Sequence, residues 1–267
     1  QAEVNDYEEG NAIQYTAMDT GNFTFTISEY KSSATWITNK MKQDSFYMSR
    51  LVSSFIPKQS RALSKAMEVD ILATPTPSAT GGQTTADTNA INGAFHRWVG
   101  SGTSETIDVT DFAKAKYSLQ LANVPMTNLV AIVDPSVGYK LETLTNLVNL
   151  SNNKAWEGVV ADGALTGTRF VKNVYGFDVY VSQNLYVNTA SEVIDGVTAA
   201  AGVNNLFFSA AGDVLPIVGQ IRQPPKVDSE YNKDWQREEY VTTCRYGFKL
   251  FRPENMVVVV TDTDQVF

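Results

Sequence analysis

An alternation of apolar and polar residues marks the first regular element near the start of the chain. In the stretch NFTFTIS, the side chains of Phe23, Phe25 and Ile27 fall on one face, and only Asn, Thr and Ser stand between and beside them. A period of two is typical of an antiparallel strand that is buried on one face. The pattern therefore predicts a strand whose aromatic face needs a covering surface.

The apolar period becomes helical after about residue 44. Tyr47, Leu51 and Phe55 follow one another at intervals of four, and Leu63 continues the apolar face after Pro57. This spacing predicts one long helix. Because proline lacks a backbone N–H and clashes with the preceding turn, we expect that helix to be kinked or broken near Pro57.

The opposite side of this helix carries a basic stripe, which we define as Lys58, Arg61 and Lys65. Intervals of three and four residues place the three side chains on one helical face. Such a stripe is most often an ordinary solvated face, and the alternative is a docking site for an acidic partner. The sequence leaves both interpretations open.

A long irregular stretch and a further helix follow. Residues 73–106 are rich in Pro, Gly, Ser and Thr and show little periodicity, which predicts a surface excursion. Thr110 is then in position to cap a helix that runs to about Ala122, with Phe112 and Leu119 facing inward.

The rest of the chain is mostly β. The run NLVAIV predicts a buried strand, and Asp134 with Pro135 predicts the capped start of a helix. Later runs alternate or are continuously apolar, and the last two strands are separated around Arg252 and Pro253. Helices are gathered early and strands late, so the pattern predicts a mixed α+β fold.

Composition narrows the functional classes. The chain has 267 residues, of which 43% are hydrophobic, and this is enough for a sizeable core. A net charge of −8 provides no basic field that would attract nucleic acid. The aliphatic run at residues 256–260 is far shorter than the roughly 20 residues of a membrane helix. The single cysteine, Cys244, excludes an internal disulfide and predicts an unreactive thiol in a strand.

The charge is distributed unevenly, because the first 30 residues contain no Lys or Arg. We call the carboxylates of Glu3, Asp6, Glu8 and Glu9 the acidic arm. A segment of this kind is usually solvated, and the alternative is a limb that docks on a basic partner.

Candidate catalytic and binding motifs are weak. The single histidine, His96, lies in the predicted surface excursion without the nucleophile elbow that a catalytic triad would use, so we interpret it as a surface or interface histidine. The stretch GSGTSE at residues 100–105 imitates a dinucleotide fingerprint but lacks its third glycine. The sequence therefore predicts no enzyme, cofactor or metal site.

The order of the elements resembles a known family. An acidic ribbon, a long helix, an irregular excursion and a compact α+β half follow one another as in tailed-phage major capsid proteins of the Hong Kong 97 type. The stretches that carry the resemblance are DYEEGNAIQYTAMDTGNFTFTISEYKSSATWITNK, QDSFYMSRLVSSFIPKQSRALSKAMEVDILA, LANVPMTNLVAIVDPSVGYKL, YGFDVYVSQNL and YGFKLFRPENMVVVV.

The resemblance implies a domain organisation. We expect an α+β capsid fold with an extended β-hairpin loop, a long spine helix, a peripheral domain and an axial domain. The expected units are the return part of the extended loop at residues 1–40, the peripheral domain at 41–125, the axial domain at 126–240 and closing strands at 241–267. The N-terminal arm and the first loop strand of the family have no counterpart here, so we expect the sequence to begin inside the extended loop.

The resemblance also implies what covers the aromatic strand. In such shells the extended loop lies over the neighbouring subunit, so we expect that subunit to cover part of Phe23, Phe25 and Ile27. The acidic arm would then approach the basic stripe of the neighbour. Implied partners are other copies in hexamers and pentamers, with scaffolding, portal and cement proteins. The shell would enclose DNA without reading its sequence, and the protein would reside in the virion after assembly in the bacterial cytoplasm.

Two rival interpretations remain at this point. An encapsulin-like nanocompartment has the same fold but encloses protein cargo. A β-rich surface binding module would also suit the acidic charge and the strands rich in Thr, Ser and Asn.

Overall fold

We analysed the protein in a computed structural model that describes residues 24, 26–44, 48–76, 89–143, 173–188, 192–199 and 202–262. Four α-helices form in these ranges: α1 Asn39–Asp44, α2 Met48–Ala73, α3 Val109–Leu121 and α4 Pro135–Thr143. None of the described helices is long and apolar enough to cross a membrane.

Eleven strands are described, and the order in which they pair divides them into two main sheets and a small hairpin. The strands are β1 Glu29–Thr38, β2 Arg97–Val99, β3 Leu129–Val133, β4 Asn173–Val174, β5 Phe177–Val181, β6 Glu192–Ile194, β7 Val197–Ala199, β8 Val203–Ser209, β9 Ile217–Asn232, β10 Arg237–Leu250 and β11 Val257–Thr261. One sheet has the order β1-β10-β9, the second has the order β2-β11-β8-β3-β5-β4, and β6 pairs with β7.

The six-stranded sheet carries the main core. Helix α3 packs on one face, where the rings of Phe112, Phe177 and Phe207 meet edge to face with centroids 5.1 to 6.3 Å apart. All three side chains are fully buried, and edge-to-face contacts add to the stabilisation from burial. The continuous apolar run at residues 256–260 lies in or beside β11, an interior strand that is paired on both sides and fully buried, which is why the run shows no alternation.

The three-stranded sheet joins the two ends of the chain. Strand β1 pairs antiparallel with β10 along its full length, from Glu29 opposite Tyr246 to Thr38 opposite Arg237. Helix α2 packs on one face of this sheet, and the hydroxyl of Tyr246 donates a 2.6 Å hydrogen bond to Asp70 on α2. Lys31 on β1 pairs with the same carboxylate at 3.5 Å, so three elements are fastened at one point.

The strand pairing crosses the boundaries of the predicted domains. The boundary between residues 240 and 241 falls inside β10, and β9 belongs to the sheet of β1 although it precedes that boundary. Strand pairing connects segments about 200 residues apart, and a linear division of the sequence cannot represent it. The domain division stays a prediction.

Helix α2 runs without a break from Met48 to Ala73, across Pro57. The single long helix is thus confirmed. Gln59 and Leu63 on its inner face are buried, and Leu72 is buried near its C-terminal end, while Phe55 is exposed by 41% although the apolar period placed it inside.

The predicted surface excursion is wrong for residues 96–100, which are buried, whereas residues 92, 93, 101, 103 and 104 are exposed as predicted. His96, Arg97, Trp98 and Val99 are buried, and β2 pairs in parallel with β11 at the edge of the main sheet. A three-residue strand is too short to show periodicity, and its burial depends on β11, which lies about 160 residues later. His96 is therefore a core side chain and not a surface one.

The N-cap of helix α3 lies two residues earlier than the sequence predicted. Asp108, not Thr110, is the N-cap residue. Asp111 Oδ2 accepts a 2.9 Å hydrogen bond from the Asp108 backbone N–H, which closes the cap in the manner of a capping box. The cap at the next helix is confirmed, since Asp134 Oδ2 accepts a 2.9 Å hydrogen bond from the Ser136 N–H and α4 begins at Pro135.

Candidate subunit interface

The basic stripe is an exposed cationic surface. Lys58, Arg61 and Lys65 are all exposed, on the side of α2 that faces away from the sheet. Within the described part of the chain, no carboxylate lies within ion-pair distance of any of them. On the opposite side of the helix, Gln59 accepts a 3.3 Å hydrogen bond from Thr242 on β10. The helix is therefore held through one face, and on the other it presents three cations that have no ion-pair partner in the described ranges.

Most of the other predicted interface residues lie outside the described residues. This holds for the acidic arm, Glu3, Asp6, Glu8 and Glu9, and for the aromatic side chains of Phe23 and Phe25. Nothing in the structure tests their predicted contacts, which stay predictions.

Ile27 is described and lies against its own chain. It is half-buried, and residues 26–28 are not part of a strand, because β1 begins only at Glu29. The backbone of Ile27 passes so close to Gly247 that a Cβ there would lie 3.0 Å from the Ile27 Cα. The prediction that the strand includes Ile27 is thus wrong, since this segment packs on the glycine of β10 instead of pairing in a ladder.

A cluster of one arginine and two tryptophans lies at the tip of the three-stranded sheet, and the sequence pattern did not predict it. The Arg237 guanidinium lies 5.4 Å from the ring centroid of Trp36 and 5.5 Å from that of Trp235. Its Nε donates a 2.6 Å hydrogen bond to Glu239. Both indole rings are more than half exposed, at 55% and 70%. Trp and Arg in such an arrangement are enriched among the residues that dominate protein–protein contacts.

An apolar groove lies beside this cluster. It runs along Trp36 and Ile37 of β1 and is closed by Met41 on α1 and by Phe55 and Ile56 on α2. Met41 and Phe55 are exposed by 48% and 41%. Neither the exposure of Trp36 nor the meeting of three elements at this groove follows from the sequence pattern, because β1 exposes Tyr30 and Trp36 and turns Glu29 and Lys31 partly inward.

Residues that could support catalysis are not brought together in the described ranges. Burial lowers the pKa of His96, whose Nδ1 lies 3.1 Å from the carbonyl oxygen of Ala94. Cys244 is buried in β10 as predicted, and burial raises the pKa of its thiol. No group of three or more potential metal ligands occurs in the part of the chain that the structure describes.

The glycines at residues 100 and 102 allow a close approach of two backbone segments and do not form a phosphate-binding loop. A Cβ at Gly100 would lie 2.6 Å from the carbonyl oxygen of Thr106, and a Cβ at Gly102 would lie 2.7 Å from it. The Gly102 N–H donates a 2.8 Å hydrogen bond to that same oxygen. The imitation of a dinucleotide motif therefore arises from a tight loop in which only glycine fits.

Comparison with known protein families decides the identity of the chain. The model of a family described as phage capsid protein matches residues 22–259, which is most of the sequence. The chain belongs to the phage capsid protein family. No curated protein sequence matches this capsid protein significantly.

Solved structures show the same fold. The capsid protein aligns with the capsid structure of the cyanophage P-SCSP1u at a TM-score of 0.70 and 17% identity, over 98% of this chain and 81% of that one. It aligns with the mature capsid of bacteriophage PhiM1 at 0.62 and 11% identity, over 97% and 79%. The holo-SrpI encapsulin from Synechococcus elongatus PCC 7942 aligns at 0.53 and 9% identity, over 89% and 73%.

These findings confirm the resemblance stated from the sequence. The protein is a major capsid protein with the Hong Kong 97-type α+β fold, a structural protein of the icosahedral phage shell. The family places it in the virion capsid and makes self-association into a shell its established role.

Proposed function

We propose that this capsid protein forms hexamers and pentamers that close into a shell around a double-stranded DNA genome. Its further partners are a scaffolding protein, a portal and a cement protein, and assembly takes place in the cytoplasm of the bacterial host. The family match across residues 22–259 is the observation that supports this proposal most strongly. A net charge of −8 suits a container for DNA, because tight phosphate contacts would oppose packaging and release.

Within the shell, the acidic arm of one subunit docks on the basic stripe of its neighbour. The stripe is exposed and has no acidic partner among the described residues of its own chain. Arm and stripe carry opposite charges, which steers association and fixes the orientation of the partners.

The dimensions of the two segments are compatible. From Lys58 to Lys65 the helix rises by about 10 Å. An extended chain from Glu3 to Glu9 spans about 20 Å, so its four carboxylates can reach all three cations in one pass. Exposed ion pairs contribute only about 0.2–1 kcal/mol each, so this contact selects the neighbour and its register more than it provides strength.

Electron microscopy of material from cells that express the full-length gene, with light scattering on the same sample, tests the shell. We expect closed icosahedral particles. A uniform monomer of 29.3 kDa that stays unassembled when the scaffold is supplied would contradict the proposal.

Charge reversal tests the contact. We expect the pair Lys58→Glu and Arg61→Glu to block assembly. The control pair Lys114→Glu and Lys116→Glu makes the same charge change on α3 and should assemble normally. Adding Glu8→Lys and Glu9→Lys to the first pair should restore particles. Normal assembly by the first pair alone would eliminate the proposed contact.

An encapsulin-like compartment is the second candidate, because the holo-SrpI encapsulin has this fold. The contents of purified particles separate the two functions. Nuclease-protected DNA supports the phage shell, and a packaged protein cargo without DNA supports the compartment.

A further inference from the structure

The three-stranded sheet ends in a long strand edge. β9 spans Ile217–Asn232 and pairs with β10 on one side. Among the described residues, no strand pairs along its other side. Twelve of its sixteen residues are exposed. At about 3.3 Å per residue, this edge offers roughly 50 Å of backbone that another strand could join.

The centre of β9 is interrupted by two adjacent prolines. Gln223 pairs with Arg245 and Lys226 pairs with Thr243, so Pro224 and Pro225 together stand opposite the single residue between them on β10. Neither proline has a backbone N–H to donate to an added strand. Two residues opposite one form a β-bulge, which bends the strand and increases its twist.

The residues on both sides of the two prolines also disturb the regular pairing of β9 or oppose the addition of a strand. Ile221 pairs with Tyr246, so Arg222 is a further residue of β9 without a counterpart on β10. On the other side of the prolines, Lys226 forms a 2.8 Å ion pair with Asp228, and both side chains are more than 60% exposed. Charged side chains on an edge oppose the approach of a second strand.

The other edge of the same sheet lacks these features. β1 contains no proline and pairs with β10 without a shift in register. The prolines therefore do not reflect a general requirement of this sheet. They stand on β9, the edge strand along whose outer side no strand pairs among the described residues.

An uninterrupted β9 would be prone to association. Val218, Ile221, Val227 and Tyr231 are exposed by 36 to 47% and lie on both sides of the prolines. Exposed apolar residues along a flat free edge are the features of strands that aggregate. Such strand addition grows fibres when it is head to tail and its rotation does not close into a ring.

We propose that the Pro224-Pro225 bulge blocks strand addition to β9 and so keeps unassembled subunits from associating edge to edge. The block divides the edge into two short runs, Ile217–Ile221 and Lys226–Asn232, and neither run presents a long straight ladder. This inference goes beyond the proposed shell, and its test uses the unassembled subunit. Its failure would leave the proposed function unchanged.

The variant Pro224→Thr/Pro225→Val tests the block by restoring two N–H donors and β-favouring side chains. We expect the wild-type subunit to stay a single monomeric species in light scattering. The variant should shift to growing aggregates that bind thioflavin T, while near-UV circular dichroism shows that the core is still native. The control Pro253→Thr removes an exposed proline from a 3₁₀ turn outside β9 and should behave as wild type.

The single replacement Pro225→Val keeps the test decisive if the double variant folds poorly. A folded variant, single or double, that stays as monodisperse as wild type overturns the proposal. Aggregation that appears only after the near-UV signal is lost also overturns it, because unfolding and not strand addition would then be the cause. Adding Ile221→Lys to the aggregating variant should restore the monomer, since a charge again interrupts the edge.

Discussion

We expect the removal of the Asp111 carboxylate to lower the free energy of unfolding more than the size of this side chain suggests. It is fully buried at the start of α3, and its two oxygens accept three hydrogen bonds. The donors are the indole Nε1 of Trp98 at 3.1 Å, the backbone N–H of Ser101 at 3.0 Å and the backbone N–H of Asp108 at 2.9 Å. One carboxylate thus ties β2, the loop after it and the cap of α3 together.

The magnitude follows from the donors that Asp111→Ala would leave without a partner. Each buried donor without a partner costs about 1–3 kcal/mol. Ser101 is exposed, so its N–H can bond to water and the cost falls mainly on Trp98 and Asp108. We therefore expect a loss of about 2–6 kcal/mol in the free energy of unfolding, against a total of about 5–15 kcal/mol for a typical domain.

Urea unfolding of the unassembled subunit, followed by tryptophan fluorescence, measures this loss. The control is Thr110→Ala in the same turn, an exposed residue whose hydroxyl bonds only to the side chains of Ser101 and Asp108. It should change stability by less than about 0.5 kcal/mol. If Asp111→Ala costs no more than Thr110→Ala, the carboxylate does not fasten this junction and the reasoning fails.

Three further predictions concern buried polar groups. Burial lowers the pKa of His96 below its usual 6.5, so the unfolded chain takes up the proton first. Stability should therefore fall as pH drops below about 6.5, by up to about 1.4 kcal/mol per pH unit, and His96→Gln should remove that slope from thermal melts at pH 5.5 to 7.5. The side-chain amide of Asn204 is fully buried and has no hydrogen-bond partner among the residues that the structure describes, so Asn204→Leu should raise the unfolding free energy by about 1–3 kcal/mol in urea titration; a lower value than wild type would show that the amide is satisfied. Tyr246→Phe removes the hydrogen bond to Asp70 and should cost about 1–2 kcal/mol in the same titration, whereas an unchanged midpoint would show that ring packing alone holds α2.

Much of the local structure follows from the sequence. The helix at α2 is evident from its period, and the start of α4 from the pair Asp134 and Pro135. The strand β3 follows from its unbroken apolar run. These features depend on residues within a few positions of one another, and backbone conformation responds to such neighbours directly. The basic stripe is equally local, because helical spacing alone puts its three cations on one exposed face.

The tertiary structure decided the features that depend on distant partners. β2 joins the six-stranded sheet because it pairs with β11, and no pattern within residues 89–106 predicts that pairing. Ile27 lies on Gly247 and not in a strand for the same reason. Asp108 is the N-cap because Asp111 accepts a hydrogen bond from its backbone N–H. Asp111 also accepts a hydrogen bond from the indole N–H of Trp98, which lies ten positions before that cap.

The three-stranded sheet also separates what the sequence determines from what the tertiary structure determines. The sequence by itself determined that adjacent prolines interrupt residues 217–232. Only the fold decided that this strand forms an edge, that the prolines face a single residue of β10, and that Trp36 and Trp235 both lie against Arg237 at the tip. Conformational preference is a property of neighbouring residues, whereas edges, caps and covered faces arise from which distant segments the packed chain brings into contact.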